Sequence, residues 1–187
     1  PIVENEKVLI SDYECGSTLI SAKYLLEIIR RLDSDVVEIE IIDDVIVQIS
    51  DSKSHFQLNS MKAEEYPDLD LSVSGVKVSF KAEDYKKIVV QTAFAASTKE
   101  VRPILTAVNA KSDGRKAEFV ATDSYRLAKK SFDVSSSAFE ANIPVKALTE
   151  VSKLIENDDV TLNITSNKVI FQFANTVVYS RLINGDF

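Results

Sequence analysis

The sequence predicts an α+β protein in which antiparallel sheets carry helices on one face. Three observations lead there. Residues 20–41, ISAKYLLEIIRRLDSDVVEIEI, recur in outline as residues 143–164, IPVKALTEVSKLIENDDVTLNI. A constant offset of 123 pairs Ile20 with Ile143, Lys23 with Lys146, Leu25 with Leu148, Glu27 with Glu150, Arg30 with Lys153 and Ile41 with Ile164. This is a helix-plus-strand unit built twice, at a spacing far too long for a solenoid. Between and after the copies, apolar and polar residues alternate as half-buried strands do. The turns joining those strands are short (Asp43-Asp44, Asp51-Ser52 and Asp113-Gly114), so neighbouring strands run antiparallel.

The elements follow in order. Lys7–Ile10 reads as a short strand, and Ala22–Leu32 as a helix entered from Ile20. Strands are expected at Val36–Ile41, Val45–Ser50 and His55–Asn59. The stretch AEEYPDLDLSVSG (63–75) holds Pro67, Gly75 and four acids, and reads as a linker between residues 1–73 and 74–187. Val76–Phe80 reads as a strand, Lys81–Ser97 as a helix, and Ile104–Asn109, Lys116–Thr122 and Arg126–Val134 as strands. The second helix-plus-strand copy follows Ser135–Ser137, with Pro144 in a first helical turn that tolerates its missing N–H. Strands Val160–Ile164, Lys168–Phe173 and Val177–Leu182 complete the order. Each unit is then one helix and about four strands. Pro1 without an initiator Met, and an end inside the turn signal Asn184-Gly185, suggest a fragment of a longer protein.

At 187 residues, 45% hydrophobic and 27% charged, the chain can bury a real core and resembles an ordinary globular protein. Apolar runs are broken by charge too often to span a bilayer, and no secretory signal opens the chain. The single Cys15 excludes an internal disulfide, and a cytoplasmic location is the simplest expectation. The net charge of −7 is uneven: residues 1–75 carry −10 and residues 76–187 carry +3. A bulk acidic balance speaks to solubility more than to any local site.

The helix faces are more informative. At 100° per residue, Lys23, Glu27 and Arg30 share a narrow arc opposite Leu25, Leu26, Ile28, Ile29 and Leu32. In the second copy Lys146, Glu150 and Lys153 share the matching arc, opposite Leu148, Val151 and Ile155. A single arc of this kind is an ordinary solvated face with a weak lysine–glutamate pair. Its recurrence in register opens a second reading, because a core constrains the apolar arc and leaves the exposed one free. That second reading is loose, sequence-indifferent contact with nucleic-acid phosphates. On the helix between the copies, Tyr85, Ile88, Val89 and Ala96 form the buried side, and Lys87 and Gln91 lie opposite. Phe94 falls outside that pattern, and Lys99 and Arg102 follow in a loop.

The search for catalytic chemistry yields little. His55 lies beside Lys53 on an alternating strand, without a second ligand at metal spacing. Cys15 has no histidine partner, and the four glycines are too scattered for a phosphate loop. The carboxylates sit in turns and linkers, with no pair marked as acid and base. No catalytic residue, metal or cofactor is expected. The segment VATDSYRLAKK (120–130) places Thr122, Asp123, Ser124 and Tyr125 in a tight polar corner between strands. By chemistry alone it is a hairpin corner. Its functional alternative is the lip of a shallow pocket, with Tyr125 and Leu127 supplying apolar surface and Arg126 a charge.

Five stretches carry a resemblance: FQLNSMKAEEYPDL (56–69), FAASTKEVRPILTAVN (94–109), FVATDSYRLAKK (119–130), IPVKALTEVSKLI (143–155) and YSRLINGDF (179–187). In this order, over most of the chain, they resemble the bacterial sliding clamps, the beta subunits of DNA polymerase III. The resemblance implies the DNA-clamp fold: protomers of three similar domains, two helices per domain, closed in pairs into a ring with helices lining the hole. Residues 1–73 would match the second half of the first domain and residues 74–187 nearly all of the second, with the third absent. The resemblance further implies a non-catalytic processivity factor that encircles duplex DNA. Lys23, Arg30, Lys146 and Lys153, with Lys87, Lys99 and Arg102, would then face phosphates. Leu105, Thr122, Ser124, Tyr125, Arg126 and Leu127 would form half of a pocket for short apolar peptide motifs of the polymerase, the clamp loader and repair proteins. Many relatives have His where Tyr125 stands. Lys53, His55 and Leu58 would lie on the edge that pairs with a second protomer. The alternative is a protein-interaction module with no DNA contact, its basic arcs merely solvated.

Overall fold

The computed structural model describes residues 2–4 and 14–187. The chain divides into two compact units, one of Val8–Asp70 and one of Leu71–Phe187 joined by the first seven residues. Strand β1 (Ile2–Glu4) belongs to the larger unit. The strand expected at Lys7–Ile10 lies outside the described residues.

The smaller unit holds helix α1 (Ala22–Ile29) and strands β2 (Glu38–Ile42), β3 (Ile46–Ser50) and β4 (His55–Asn59). The strands form an antiparallel sheet in the order β2-β3-β4, with Ile49 opposite Ile39 and Phe56. Strand β3 is central and alternates, so Val47 and Ile49 point inward and are fully buried against Ile28 of α1. Leu25, Leu32, Phe56 and Leu58 pack around them half-buried. The helix is shorter than expected, closing at Arg30, whose backbone N–H donates to the Leu26 carbonyl at 3.2 Å. Its predicted apolar arc is only partly covered: Leu26 remains 50% and Ile29 41% exposed. One helix over three strands does not reach round to that side. Ile39 and Ile41 of β2 are exposed as well.

The larger unit holds β5 (Val76–Phe80), α2 (Ala82–Thr92), β6 (Ala107–Ser112), β7 (Lys116–Thr122), β8 (Leu127–Asp133), β9 (Phe139–Pro144), α3 (Val145–Leu154), β10 (Val160–Ile164), β11 (Lys168–Phe173) and β12 (Thr176–Arg181). Two antiparallel sheets result, β1-β12-β11-β10-β5 and β8-β7-β6-β9. They share one apolar core with both helices. Phe80 of the first sheet meets Phe119 and Phe132 of the second edge to face, at 5.6 and 6.1 Å. Tyr85 of α2 stands edge-on to Phe171 of β11 and donates its buried hydroxyl to the Leu148 carbonyl of α3 at 3.1 Å. As expected, Ile88, Val89 and Ala96 are buried on the same side as Tyr85.

Three local expectations change. The segment from Ile104 begins not as a strand but as a 3-10 turn, Pro103–Thr106. Pro103 starts that turn, and the Thr106 hydroxyl closes it on the Pro103 carbonyl at 2.7 Å. Helix α2 stops at Thr92, whose hydroxyl bonds back to the Ile88 carbonyl at 2.6 Å, and a 3-10 turn (Ala93–Ala95) follows. An unexpected strand, β9, pairs with β6; Phe139–Ile143 alternates apolar and polar residues in the sequence, yet Ala141, Asn142 and Ile143 are all buried, so both faces of the strand are covered. Pro144 consequently ends β9 and caps α3 in extended backbone, one residue ahead of the first helical turn.

The linker residues meet the larger unit at Gly75, which has φ +90°. A Cβ there would run into the Ile164 carbonyl. Gly75→Ala should therefore cost about 1–3 kcal/mol, read as a lower urea midpoint at unchanged slope. An unchanged midpoint would show that the approach of residue 75 to β10 is not fixed. Tyr85→Phe, which leaves the Leu148 carbonyl without its buried donor, should cost about 1 kcal/mol.

Candidate functional site

The corner between β7 and β8 is built by its own side chains. The Thr122 hydroxyl donates to the Arg126 carbonyl at 2.7 Å and accepts from the Ser124 N–H at 3.1 Å. Asp123 Oδ1 accepts from the N–H groups of Tyr125 and Arg126 at 3.0 and 3.1 Å, while Oδ2 accepts from Arg126 Nε at 3.0 Å. These bonds hold Ser124 at φ +78°, a left-handed backbone that L residues other than Asn and Asp seldom adopt. A strained residue fixed by surrounding bonds is a common mark of a binding site. The outcome is display: Tyr125 is 97% and Leu127 65% exposed.

Behind the corner, the Arg126 guanidinium lies 5.8 Å from the ring centre of Phe94, itself 59% exposed. Leu105 is half-buried in the turn feeding β6, where its carbonyl accepts from the Ser97 N–H at 2.8 Å. Since β6 and β7 are antiparallel neighbours, the start of β6 and the end of β7 share one end of the sheet. All six residues expected for a peptide pocket thus belong to one end of one sheet. Sequence reasoning passed over Phe94 and the bonding role of Asp123. An aromatic residue outside its helix's apolar pattern was the available signal.

The basic residues divide by their surroundings. Lys23 and Arg30 on α1 are exposed, and Lys23 Nζ stands 6.0 Å from the ring centre of Tyr24. On α3, Lys146 is exposed, and Lys153 contacts Glu150 at 2.9 Å. On α2, Lys87 meets Asp84 at 3.0 Å and Glu83 at 3.8 Å, and its hydrogen bond to Asp84 raises its pKa above the ordinary lysine value. Lys99 and Arg102 are exposed in the loop before Pro103. In the smaller unit β4 is an edge strand. His55 faces outward, Leu58 packs inward on the core, and Lys53 sits in a turn whose N–H groups, with those of Ser54, bind Asp51 Oδ1. Of the three residues expected at a dimer edge, Leu58 can therefore offer chiefly its backbone.

Among the described residues no cluster of His, Cys, Asp and Glu could hold a metal ion, and no helix is long and apolar enough to cross a membrane.

The fold is that of a DNA sliding clamp. Residues 79–187 match the central domain of the DNA polymerase III beta subunit, and residues 2–70 match its N-terminal domain. The chain is 34% identical to the beta sliding clamp of Bacillus subtilis over all of its own length and 51% of that protein's. It is 32% identical to the beta sliding clamp of Halalkalibacterium halodurans, again across 51% of that relative. The crystal structure of the Bacillus subtilis DNA polymerase sliding clamp superimposes with a TM-score of 0.88 at 33% identity, covering 98% of this chain and 50% of that one. The Streptococcus pyogenes DNA polymerase beta subunit gives 0.87 at 29% identity, covering 100% and 52%. The chain belongs to the DNA polymerase III beta subunit family, and it spans about half the length of the curated relatives it matches.

The Asp123 carboxyl is held below its ordinary 3.8, first by the Tyr125 N–H, then by the Arg126 N–H and the nearby guanidinium. A depressed carboxyl stabilises the corner above the unfolded pKa, and that contribution is lost as pH falls through the folded value. The Asp123 resonance followed by NMR should therefore titrate below 3.8, with the Tyr125 and Arg126 amides shifting in step. A midpoint at or above that value would show that the corner does not hold Asp123.

Proposed function

We propose that this chain is part of a ring-forming processivity factor that encircles duplex DNA and tethers a replicative polymerase, without catalytic chemistry of its own. The observation that carries the reading is the duplicated basic arc, Lys23/Glu27/Arg30 on α1 and Lys146/Glu150/Lys153 on α3, in a chain of the clamp family. Both arcs lie opposite the buried sides of their helices. On this reading they face phosphates without reading bases, with Lys87, Lys99 and Arg102 as lesser contributors.

Residues 1–73 are proposed as the second half of a first clamp domain and residues 74–187 as the second domain. The exposed Leu26, Ile29, Ile39 and Ile41 fit a half domain whose other half would cover them. Edge strand β4 is proposed as the seam between protomers of a homodimer. The corner Thr122–Leu127 with Leu105 is proposed as half of the site where the polymerase, the clamp loader and repair proteins dock short apolar peptides. A cytoplasmic location follows from that role.

The rival reading is an interaction module without DNA contact. It draws on the pairing of Lys153 with Glu150 and of Lys87 with Asp84, which reduces the charge left for phosphates. Loading the full-length protein on nicked circular DNA and then linearising the DNA separates the two. Release on linearisation, with little dependence on salt, is expected of a ring. Retention on linear DNA would exclude it. In the same protein, Tyr125→Ala or Leu127→Ala should weaken apolar peptide binding about tenfold, or roughly 1.4 kcal/mol; unchanged affinity would remove these residues from the site.

A further inference from the structure

We propose that Asn184 is a site of spontaneous deamidation whose rate is set by the buried side chain of Asn142. Of all the asparagines in the sequence, only Asn184 is followed by glycine. The reaction needs no catalyst. The Gly185 backbone nitrogen attacks Cγ of Asn184, its proton passes through solvent to the departing amide nitrogen, and ammonia leaves a five-membered succinimide. Water then opens the ring at either carbonyl, giving aspartate or isoaspartate. Nothing is oxidised or reduced, and water is the sole co-reactant. Glycine favours the attack because no Cβ crowds its nitrogen. Asn184 and Gly185 are exposed and lie outside any helix or strand. Neither the Asn184 side chain nor the Gly185 N–H has a hydrogen-bond partner among the described residues. Nucleophile and electrophile are therefore both open to water.

What restrains them is a brace from β9. Asn142 is 9% exposed, and its Nδ2 donates to the Ile183 carbonyl at 3.2 Å and to the Gly185 carbonyl at 2.9 Å. Its Oδ1 accepts from Asn109 at 2.9 Å, which fixes the orientation of the amide. The peptide groups on either side of the Asn184–Gly185 bond are thus pinned to one nitrogen. Cyclisation turns the group between them about the Cα–C bond of Asn184, and that rotation carries the Gly185 carbonyl away from Asn142. The brace has to open before the ring can close. Isoaspartate runs the main chain through Cβ and Cγ, lengthening it by one carbon, and adds a negative charge near Asp186. The two Asn142 bonds cannot then both re-form. The modification is a one-way release of residues 183–185 from β9.

The experiment incubates full-length protein, and a synthetic peptide of residues 181–187, in mildly alkaline buffer at physiological temperature. Peptide mapping follows aspartate and isoaspartate at position 184. The folded protein should form both products there ahead of every other asparagine, about tenfold more slowly than the peptide, as expected where two hydrogen bonds must open first. Asn142→Ala should bring the rate close to the peptide's, and Asn184→Gln should suppress the reaction. Hydrogen exchange at the Ile183 N–H, which donates to the Asn142 carbonyl at 2.9 Å, should quicken in the isoaspartate form. No product at 184 in the folded protein, or a rate equal to the peptide's, overturns the proposal. A folded Asn142→Ala variant that reacts at the wild-type rate overturns it as well. Should that variant fail to fold, the comparison of wild type with peptide decides alone.

Discussion

Tyr85 joins the layers of the larger unit. Its ring lies against Phe171 of one sheet, its helix packs on the other helix, and its hydroxyl reaches the Leu148 carbonyl of α3. A phenylalanine would fill nearly the same space but lose this bond between the two helices. Burial pushes the phenol well above its usual 10.0, so it remains a donor at any physiological pH. Once α2 and α3 are locked together here, Leu148, Val151 and Ile155 have only one direction in which to be buried. The opposite arc of α3 must then face outward, which fixes where Lys146 and Lys153 stand. The exposed charge pattern is thus a consequence of the core.

The same reasoning separates the two copies of the repeat. Positions Leu26 and Ile29 of the first copy correspond, at the offset of 123, to Thr149 and Ser152 of the second. Thr149 and Ser152 are half-buried in a unit with two helices and two sheets, whereas Leu26 and Ile29 are the more exposed. The first copy therefore carries more apolar surface than its own unit covers. The repeated helix-and-strand unit has different sides in its two copies, and the difference lies in which faces its own unit leaves exposed. In the proposed ring this surplus belongs to a half domain.

Much of this was legible from pattern. Alternation in Ile46–Ser50 and His55–Asn59 marks strands because only one face of that sheet meets the core. Tyr85, Ile88 and Val89 mark the buried side of α2 because helical spacing brings them together. Strand β9 is harder to read because its short alternation runs directly into Pro144 and helix α3. Asn142 is buried, its amide nitrogen donating to the Ile183 and Gly185 carbonyls at 3.2 and 2.9 Å and its Oδ1 accepting from Asn109 at 2.9 Å. Asn142 keeps the alternation of Phe139–Ile143 in phase, but the bonds that bury it come from segments far away in the chain and have no local signature. The corner's residues could be read as a turn, but the Phe94 contact joins positions 32 apart and has no local signature. Patterns report what a segment does to itself; contacts between distant segments have to be seen.

The charge arrangement bears on how such a chain could hold DNA and still move along it. Lys87 and Lys153 each face an acid on their own helix, and Glu27 and Glu150 stand inside the basic arcs. Exposed pairs of this kind contribute little to stability, so their presence asks for another explanation. One effect is to lower the number of phosphates each helix can neutralise, and with it the salt-dependent affinity. A protein that relied on electrostatic grip would be expected to shed those acids. A ring needs the reverse, since its hold comes from closure and strong phosphate contacts would only retard sliding. In the proposed ring, the interspersed glutamates and the acidic total of −7 would suit a tether whose affinity resides in topology.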